Sequence, residues 1–361
     1  MRVSALLTAG VLAACRSATG NGGARPPPTG GTPTVRVQGN QLVDSAGRAL
    51  RLRGVNRSGT EYACAQGWGI FDGPSDSASV QAIRSWGANV VRVPLNETCW
   101  LSINGVDPAY SGSNYRRAIS DFVGLLNRSG LVVILELHWS AADTAKALGQ
   151  AAMPNRDHTP EFWYQVAAAY KGNNHVVFDL FNEPFPDNNS DTPEAWRCWR
   201  DGGTCRGMTF QAAGMQELVD TVRSSGATNV IMLGGVQYSA RLSSWLAYRP
   251  TDPLGNLAAS WHIYNFSWCT TQACWDGDAG PVAQQVPLVL GELGQDNFAT
   301  SGNGFVTSLM DWMDARQGSY LAWVWDVWGS PLDLITSYDG TPTPYGETFR
   351  TRFAAQFPIG R

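Results

Sequence analysis

Several absences narrow this 361-residue chain before any motif is read. No run rich in Lys or Arg occurs and the net charge is −4, which argues against a nucleic-acid partner. There is no CxxC pair and only four His, so the case for a zinc site is weak, and neither a metal nor a cofactor is expected. No Gly-rich phosphate loop follows the first strand candidate, which removes support for a doubly wound nucleotide-binding sheet. The apolar run at the N-terminus is too short to span a bilayer as a helix. Charged residues make up only 16% of the chain and hydrophobic residues 43%, a balance that suits a packed globular core rather than disorder.

The N-terminus carries a processing signal. Arg2 precedes the apolar run Val3 to Ala14, which ends in Leu12-Ala13-Ala14-Cys15. This resembles a bacterial lipoprotein signal, cleaved before a lipid-modified Cys15; an ordinary secretory signal is the alternative. The expected organisation is a signal over 1–14, a Gly/Pro/Ser/Thr-rich tether over 15–34, and one catalytic domain over 35–361. Membrane contact would come only through the lipid, and the domain itself is expected to be a monomer. Either signal implies export, where disulfides persist. Of the seven Cys, six remain beyond Cys15, and six allow fifteen pairings. Proximity along the chain suggests Cys198–Cys205 and Cys269–Cys274, which leaves Cys64–Cys99.

Beyond the tether, Val35 to Leu52 reads as a small hairpin around Gly39-Asn40. Strand-like apolar runs then alternate with helix-like segments. The strand candidates are Leu50–Asn56, Asn89–Pro94, Val132–His138, Val176–Asn182, Val230–Leu233, Leu257–His262, Pro287–Glu292 and Tyr320–Trp325. The longer helix candidates are Ser77–Trp86, Ser113–Ser129, Thr159–Tyr170, Thr209–Ser224, Asn303–Arg316 and Thr343–Phe357. Eight strands, each followed by a helix or connector, imply an α/β fold: a (β/α)8 TIM barrel with a short N-terminal hairpin.

In such a barrel, chemistry sits at the C-terminal strand ends. Those ends carry Arg92-Val93-Pro94, His138-Trp139, Asn182-Glu183-Pro184, His262-Ile263-Tyr264 and Glu292, with Trp323 and Trp325 on the eighth strand. Unrelated surface polars would not all gather at one end. Glu183 and Glu292 come from the fourth and seventh strands, on opposite sides of the mouth. Paired carboxylates of this kind break glycosidic bonds. The abundance of Trp, 15 in all, suits a surface that stacks on the C–H faces of sugar rings.

The motifs NEP, RVP, LHW, the His262–Tyr264 pair, GELG and the eighth-strand Trp together resemble the cellulase-type glycoside hydrolases of family 5, over about Val35 to the C-terminus. The resemblance implies a metal-free retaining hydrolysis of β-linked glycans, an endo-β-1,4-glucanase first, with mannan, xyloglucan, β-1,3-glucan or smaller glycosides as other activities of the group. The partner would be a polysaccharide or oligosaccharide. Glu183 would be the acid/base and Glu292 the nucleophile. Arg92, counted among the substrate-binding residues, would hold Glu292 ionised, with Tyr264 as a second donor. Asn182 would bond the sugar 2-hydroxyl, His262 would bond Glu183, and His138 would reach neighbouring hydroxyls. Trp325 would be the stacking floor, with Trp139 lining the cleft or packing. Trp68, Trp100, Trp196, Trp199, Trp268, Trp275 and Trp328 are candidates for the cleft walls. Glu136 is expected to face the barrel interior without an assigned role. A non-catalytic glycan-binding lipoprotein on the same barrel is the competing reading; the trio Glu183, Glu292 and Arg92 argues against it, since binding alone does not require it.

Overall fold

A computed structural model describes residues 31–356. The signal, Cys15 and most of the tether lie outside the described residues. Eight parallel strands close into a barrel in chain order: Arg53–Asn56, Val90–Asn96, Val132–Trp139, Val176–Asp179, Ile231–Gly234, Leu257–Tyr264, Leu288–Gly294 and Ser319–Ala322, the last pairing with the first. These are the first to eighth barrel strands below. All eight expected strands form, with ends shifted by a few residues.

Period-two alternation divides each strand between two cores. One set of residues fills the barrel floor: Val90, Val132, Ile134, Val177, Met232, Ala258, Val289 and Leu321. The hairpin of Arg36–Gln38 and Gln41–Val43 closes this floor from below, adding Val35 and Leu42 to the same apolar cluster. The other set packs outward against the helix ring, in which the main helices are Ser77–Ser85, Ser113–Arg128, Thr159–Tyr170, Met215–Ser224, Gly304–Ala315 and Pro344–Gln356. Gly87 and Gly130 follow the first two at φ 85° and 84°, the left-handed conformation that ends a helix most cheaply without a Cβ.

Two details depart from expectation. The segment expected to start a helix at Thr209 instead pairs Gln211–Ala213 with Gly202–Thr204 as a small antiparallel ribbon, and the helix begins at Met215. The first strand of the ribbon lies within the segment closed by the Cys198–Cys205 bridge, and the second follows it. The eighth strand stops at Ala322, short of Trp325, because Val324 pairs with Leu332 and Leu334 of the following loop rather than with neighbouring strands.

The three disulfides are Cys64–Cys99, Cys198–Cys205 and Cys269–Cys274, as proximity suggested. They join loops that follow the first, second, fourth and sixth strands, so all three brace one end of the barrel. No helix among the described residues is long and apolar enough to cross a membrane.

Candidate active site

Two residues above the apolar floor, the same alternation places charge inside the barrel. Val90 is followed on its face by Arg92, Ile134 by Glu136, and Val177 by Asp179. Arg92 is fully buried and has a partner for each nitrogen. Its Nε donates to Asp179 Oδ2 at 3.1 Å, Nη1 to Glu292 Oε1 at 2.9 Å and to Asn56 Oδ1 at 3.0 Å, and Nη2 to Asn182 Oδ1 at 2.9 Å. Glu136 Oε1 lies 3.4 Å from Nη1. Removing a cation from water is costly unless its charge is matched and its nitrogens are bonded, and here three carboxylates lie against it and each nitrogen donates at least once. Burial works against the charged guanidinium, but Glu136, Asp179 and Glu292 outweigh it and hold it protonated. Arg92 therefore organises carboxylates and amides from beneath. Being fully buried, it does not reach a substrate, which corrects its expected place among the substrate-binding residues.

The layer above opens into a cavity of about 570 Å³ lined by His138, Asn182, Glu183, His262, Tyr264, Glu292 and Trp323, among others. Glu183 and Glu292 face each other there. One oxygen of each, with one ring nitrogen of His262, all lie within 4.8 Å of one another. Such a gap suits direct attack by one carboxylate, being well short of the roughly 6.5–9.5 Å that an inverting pair leaves for water. The two carboxylates differ in their partners. Glu292 accepts from Arg92 on Oε1 and from the Tyr264 hydroxyl on Oε2 at 2.6 Å. Glu183 meets His262 Nδ1 at 3.0 Å through Oε1, and burial pushes its carboxyl up to about 7. Burial pushes the His262 imidazole the other way, down to about 4, so it is neutral at neutral pH.

The two glycines flanking Glu292 have a steric reason. In the register of the sixth and seventh strands, Glu292 lies beside His262 and Gly294 beside Tyr264. A Cβ on Gly291 would stand 2.9 Å from His262 Nε2, and one on Gly294 would stand 2.4 Å from the Tyr264 ring. The Gly-Glu-Leu-Gly sequence thus makes room for the two side chains that contact Glu292 and Glu183.

His138 bonds Glu136 Oε1 through Nδ1 at 2.5 Å and stacks on Trp323, centroids 5.9 Å apart and planes at 15°. Burial disfavours its charged form, but Glu136 overrides this and raises it to about 9. Glu136, left without a role on sequence grounds, is the counter-ion of this imidazolium. Burial alone would raise its carboxyl; Arg92 and His138 reverse the shift and hold it below the usual range.

Trp325 is not the stacking floor. Its side chain is fully buried, edge-on to Trp86 at 4.7 Å, in the core outside the barrel. Regular alternation ends with the strand at Ala322, so counting by twos from the strand misplaces Trp325, and Trp323 is the Trp that lines the cavity. Trp139 packs beside Tyr62, centroids 6.1 Å apart, away from the cavity lining. Of the seven loop Trp, Trp100, Trp196, Trp199 and Trp275 are buried in the core, whereas Trp68, Trp268 and Trp328 are exposed. His158 and His175 bond backbone carbonyls remote from the cavity.

Asp179, Asn56 and Gln150 escaped the sequence reading. Asp179 had a usable signal: a single acid inside the apolar run Val176–Phe181 has to find a buried partner. Gln150 sits in a long loop and had none.

The chain matches the family model described as Cellulase (glycosyl hydrolase family 5) over residues 43–329. It is 24% identical over 319 residues to a mannan endo-1,4-beta-mannosidase of Streptomyces lividans, covering 84% of this chain and 70% of that protein. It is 26% identical over 286 residues to the beta-mannanase/endoglucanase A of Caldicellulosiruptor saccharolyticus, covering 76% of this chain but only 19% of the length of that much longer protein. Its backbone superposes on a beta-glucanase from Saccharophagus degradans in complex with cellotetraose with a TM-score of 0.70 at 20% identity, over 93% of this chain and 99% of that one. A family match that runs through the barrel, on a chain whose two acidic strand ends face each other across the mouth, leads to one conclusion: the protein belongs to glycoside hydrolase family 5, a family of retaining glycosidases.

Proposed function

We propose that the protein is an exported, lipid-anchored endo-β-1,4-glucanase, with Glu292 as nucleophile and Glu183 as acid/base. The observation that carries the assignment is the asymmetry between the two carboxylates. Glu292 accepts two hydrogen bonds, one from a permanent cation, and would attack the anomeric carbon. Glu183 is desolvated, so it keeps a proton near neutral pH and can deliver it to the departing glycosidic oxygen. Once the glycosyl–Glu292 ester has formed, Glu183 is ionised. It then takes a proton from water, whose oxygen displaces Glu292 from the sugar.

Asn182 keeps one N–H of its amide for the sugar 2-hydroxyl, since Arg92 fixes the amide oxygen from below. The charged His138 presents Nε2–H to neighbouring hydroxyls. Trp323 takes the stacking position first given to Trp325. The disulfides accord with an oxidising compartment.

A second reading, hydrolysis of β-1,4-mannan, is favoured by the identity to the Streptomyces lividans mannosidase. Purified protein assayed on cellulose, mannan, xyloglucan and β-1,3-glucan, with sizing of the products, decides between them. Internal cuts in cellulose are expected, and preferential release of manno-oligosaccharides would move the assignment to mannan. Glu183→Gln and Glu292→Gln should each lower turnover on the order of 10³-fold while leaving binding intact. Unchanged turnover in either would remove the assignment. Activity is expected to survive a chelator.

A further inference from the structure

Glu183 has a second oxygen, and its partner comes from a loop. Gln150 lies between the third strand and helix Thr159–Tyr170 and lines the cavity. Its Nε2 donates to Glu183 Oε2 at 3.1 Å and to the Glu183 carbonyl at 3.0 Å. Its Oε1 accepts from Asn182 Nδ2 at 3.1 Å. One carboxamide therefore bridges Asn182 and Glu183.

The orientation of that amide is fixed by chemistry. Arg92 can only donate, so Asn182 Oδ1 accepts and Asn182 Nδ2 points onward as a donor. Gln150 has to meet that donor with its oxygen, which turns its N–H groups onto Glu183. His138 does not compete for the Asn182 N–H: its Nε2 is 3.5 Å away and, in the charged ring, is itself a donor. The result is a one-way chain of donors, Arg92 to Asn182 to Gln150 to Glu183. Arg92 touches Glu292 directly and Glu183 through two amides. The loop is pinned nearby, as Phe185 N–H donates to the Ala152 carbonyl at 2.9 Å.

We propose that Gln150 is a positioning residue that favours the ionised form of Glu183 and so supports its second task, as a base. The proposal rests on the assignment of Glu183 as acid/base. Burial makes ionisation costly, and the charged or titratable groups around it are His262, Glu292, Tyr264, His138, Arg92 and Glu136. Of these, the neutral His262 is in hydrogen-bond contact, and the carboxylates Glu292 and Glu136 repel a second anion. A fixed amide donor on Oε2 favours the carboxylate over the acid. Without it a larger fraction of Glu183 stays protonated at a pH below its titration, and only the ionised fraction can take a proton from water.

The test uses an aryl β-cellobioside with a good leaving group, for which departure needs no acid and the second step limits turnover. In Gln150→Ala assayed about one pH unit below 7, where Glu183 is mostly protonated, kcat is expected to fall up to about ten-fold with KM falling alongside, as the glycosyl-enzyme accumulates. On polysaccharide, the basic limb of the pH–rate profile should move up by roughly one pH unit, the worth of a hydrogen bond to a charged group. Gln150→Glu keeps the side-chain length but replaces the donor with a carboxyl, so its limb should move at least as far. A limb that stays in place or moves down in both folded variants, or an unchanged kcat on the aryl glycoside, overturns the proposal. Should Glu183→Gln retain full activity, the acid/base assignment itself falls. If that variant is dead and the Gln150 variants match the wild type, only the role of Gln150 falls.

Discussion

The floor and the mouth of this barrel are built by the same strands, two residues apart, and they differ in almost every physical respect. The floor is Val, Ile, Leu, Met and Ala, with no polar atom to satisfy. One pleat higher the same faces hold Arg92, Glu136 and Asp179, buried as deeply as the floor. The floor draws its stability from burial alone and needs only the right volume. The mouth pays for each charge unless every partner is in place. Asp179 shows the residue of that cost: burial raises its carboxyl to about 7 despite its contact with Arg92. The comparison teaches that pleat geometry alone sets where a strand residue points, whereas charge pairing decides whether a buried polar layer survives.

The sharpest way to break this contrast is Arg92→Met. Removing the cation leaves buried carboxylates facing one another, and a loss of about 3–5 kcal/mol in denaturant-measured stability is expected, together with loss of turnover. On the floor, Leu321→Ala should cost about 2–5 kcal/mol by the same measurement, yet leave kcat per folded molecule unchanged. If Leu321→Ala lowers kcat as Arg92→Met does, the two layers are not separable.

The eighth strand supplies the next contrast. Trp325→Ala should lower stability, by about 3–5 kcal/mol, with little change in KM. Trp323→Ala should instead raise KM roughly ten-fold, because an aromatic face is lost from the cleft. Steady-state kinetics beside thermal melts on both variants checks this.

The smallest effects are in pH. Glu183 has to be protonated for the first step, so activity should decline as pH rises through about 7. Stability should respond in the same direction for a separate reason. Glu97 is buried among the mouth loops, where it accepts from Asn155 at 2.7 Å and from Thr159, and burial raises it from 4.5 to about 7. The native state keeps this proton where the unfolded chain has released it, so stability falls as pH rises from about 4.5 to about 7. Glu97→Gln should flatten that slope in melts taken across the window, and an unchanged slope would assign the dependence elsewhere.

Much of the site was legible because strand ends are local in sequence. Arg92, Glu183, His262, Tyr264 and Glu292 each follow directly on an apolar run, and the closed sheet brings them together without further information. The failures cluster where regular geometry stops. Trp325 was expected as the stacking floor, but the chain departs from the strand at Ala322, which buries Trp325 in the outer core and leaves Trp323 lining the cleft. Arg92 was taken for a substrate contact because a strand-end Arg carries no sequence mark of how far below the mouth it lies. Gln150 was invisible because its position depends on how a long loop folds back over Glu183.

From its amino acids alone this chain determined an eight-stranded α/β barrel, its three cross-links and the two acids at its mouth, because period-two patterning, turn residues and cysteine spacing act over a few residues at a time. Tertiary structure alone decided which Trp faces the cleft, which acids share Arg92, and that a loop amide meets the second oxygen of Glu183. Those outcomes rest on distances of a few ångströms between residues far apart in the chain, and hydrogen bonds and ion pairs are made or lost over that range.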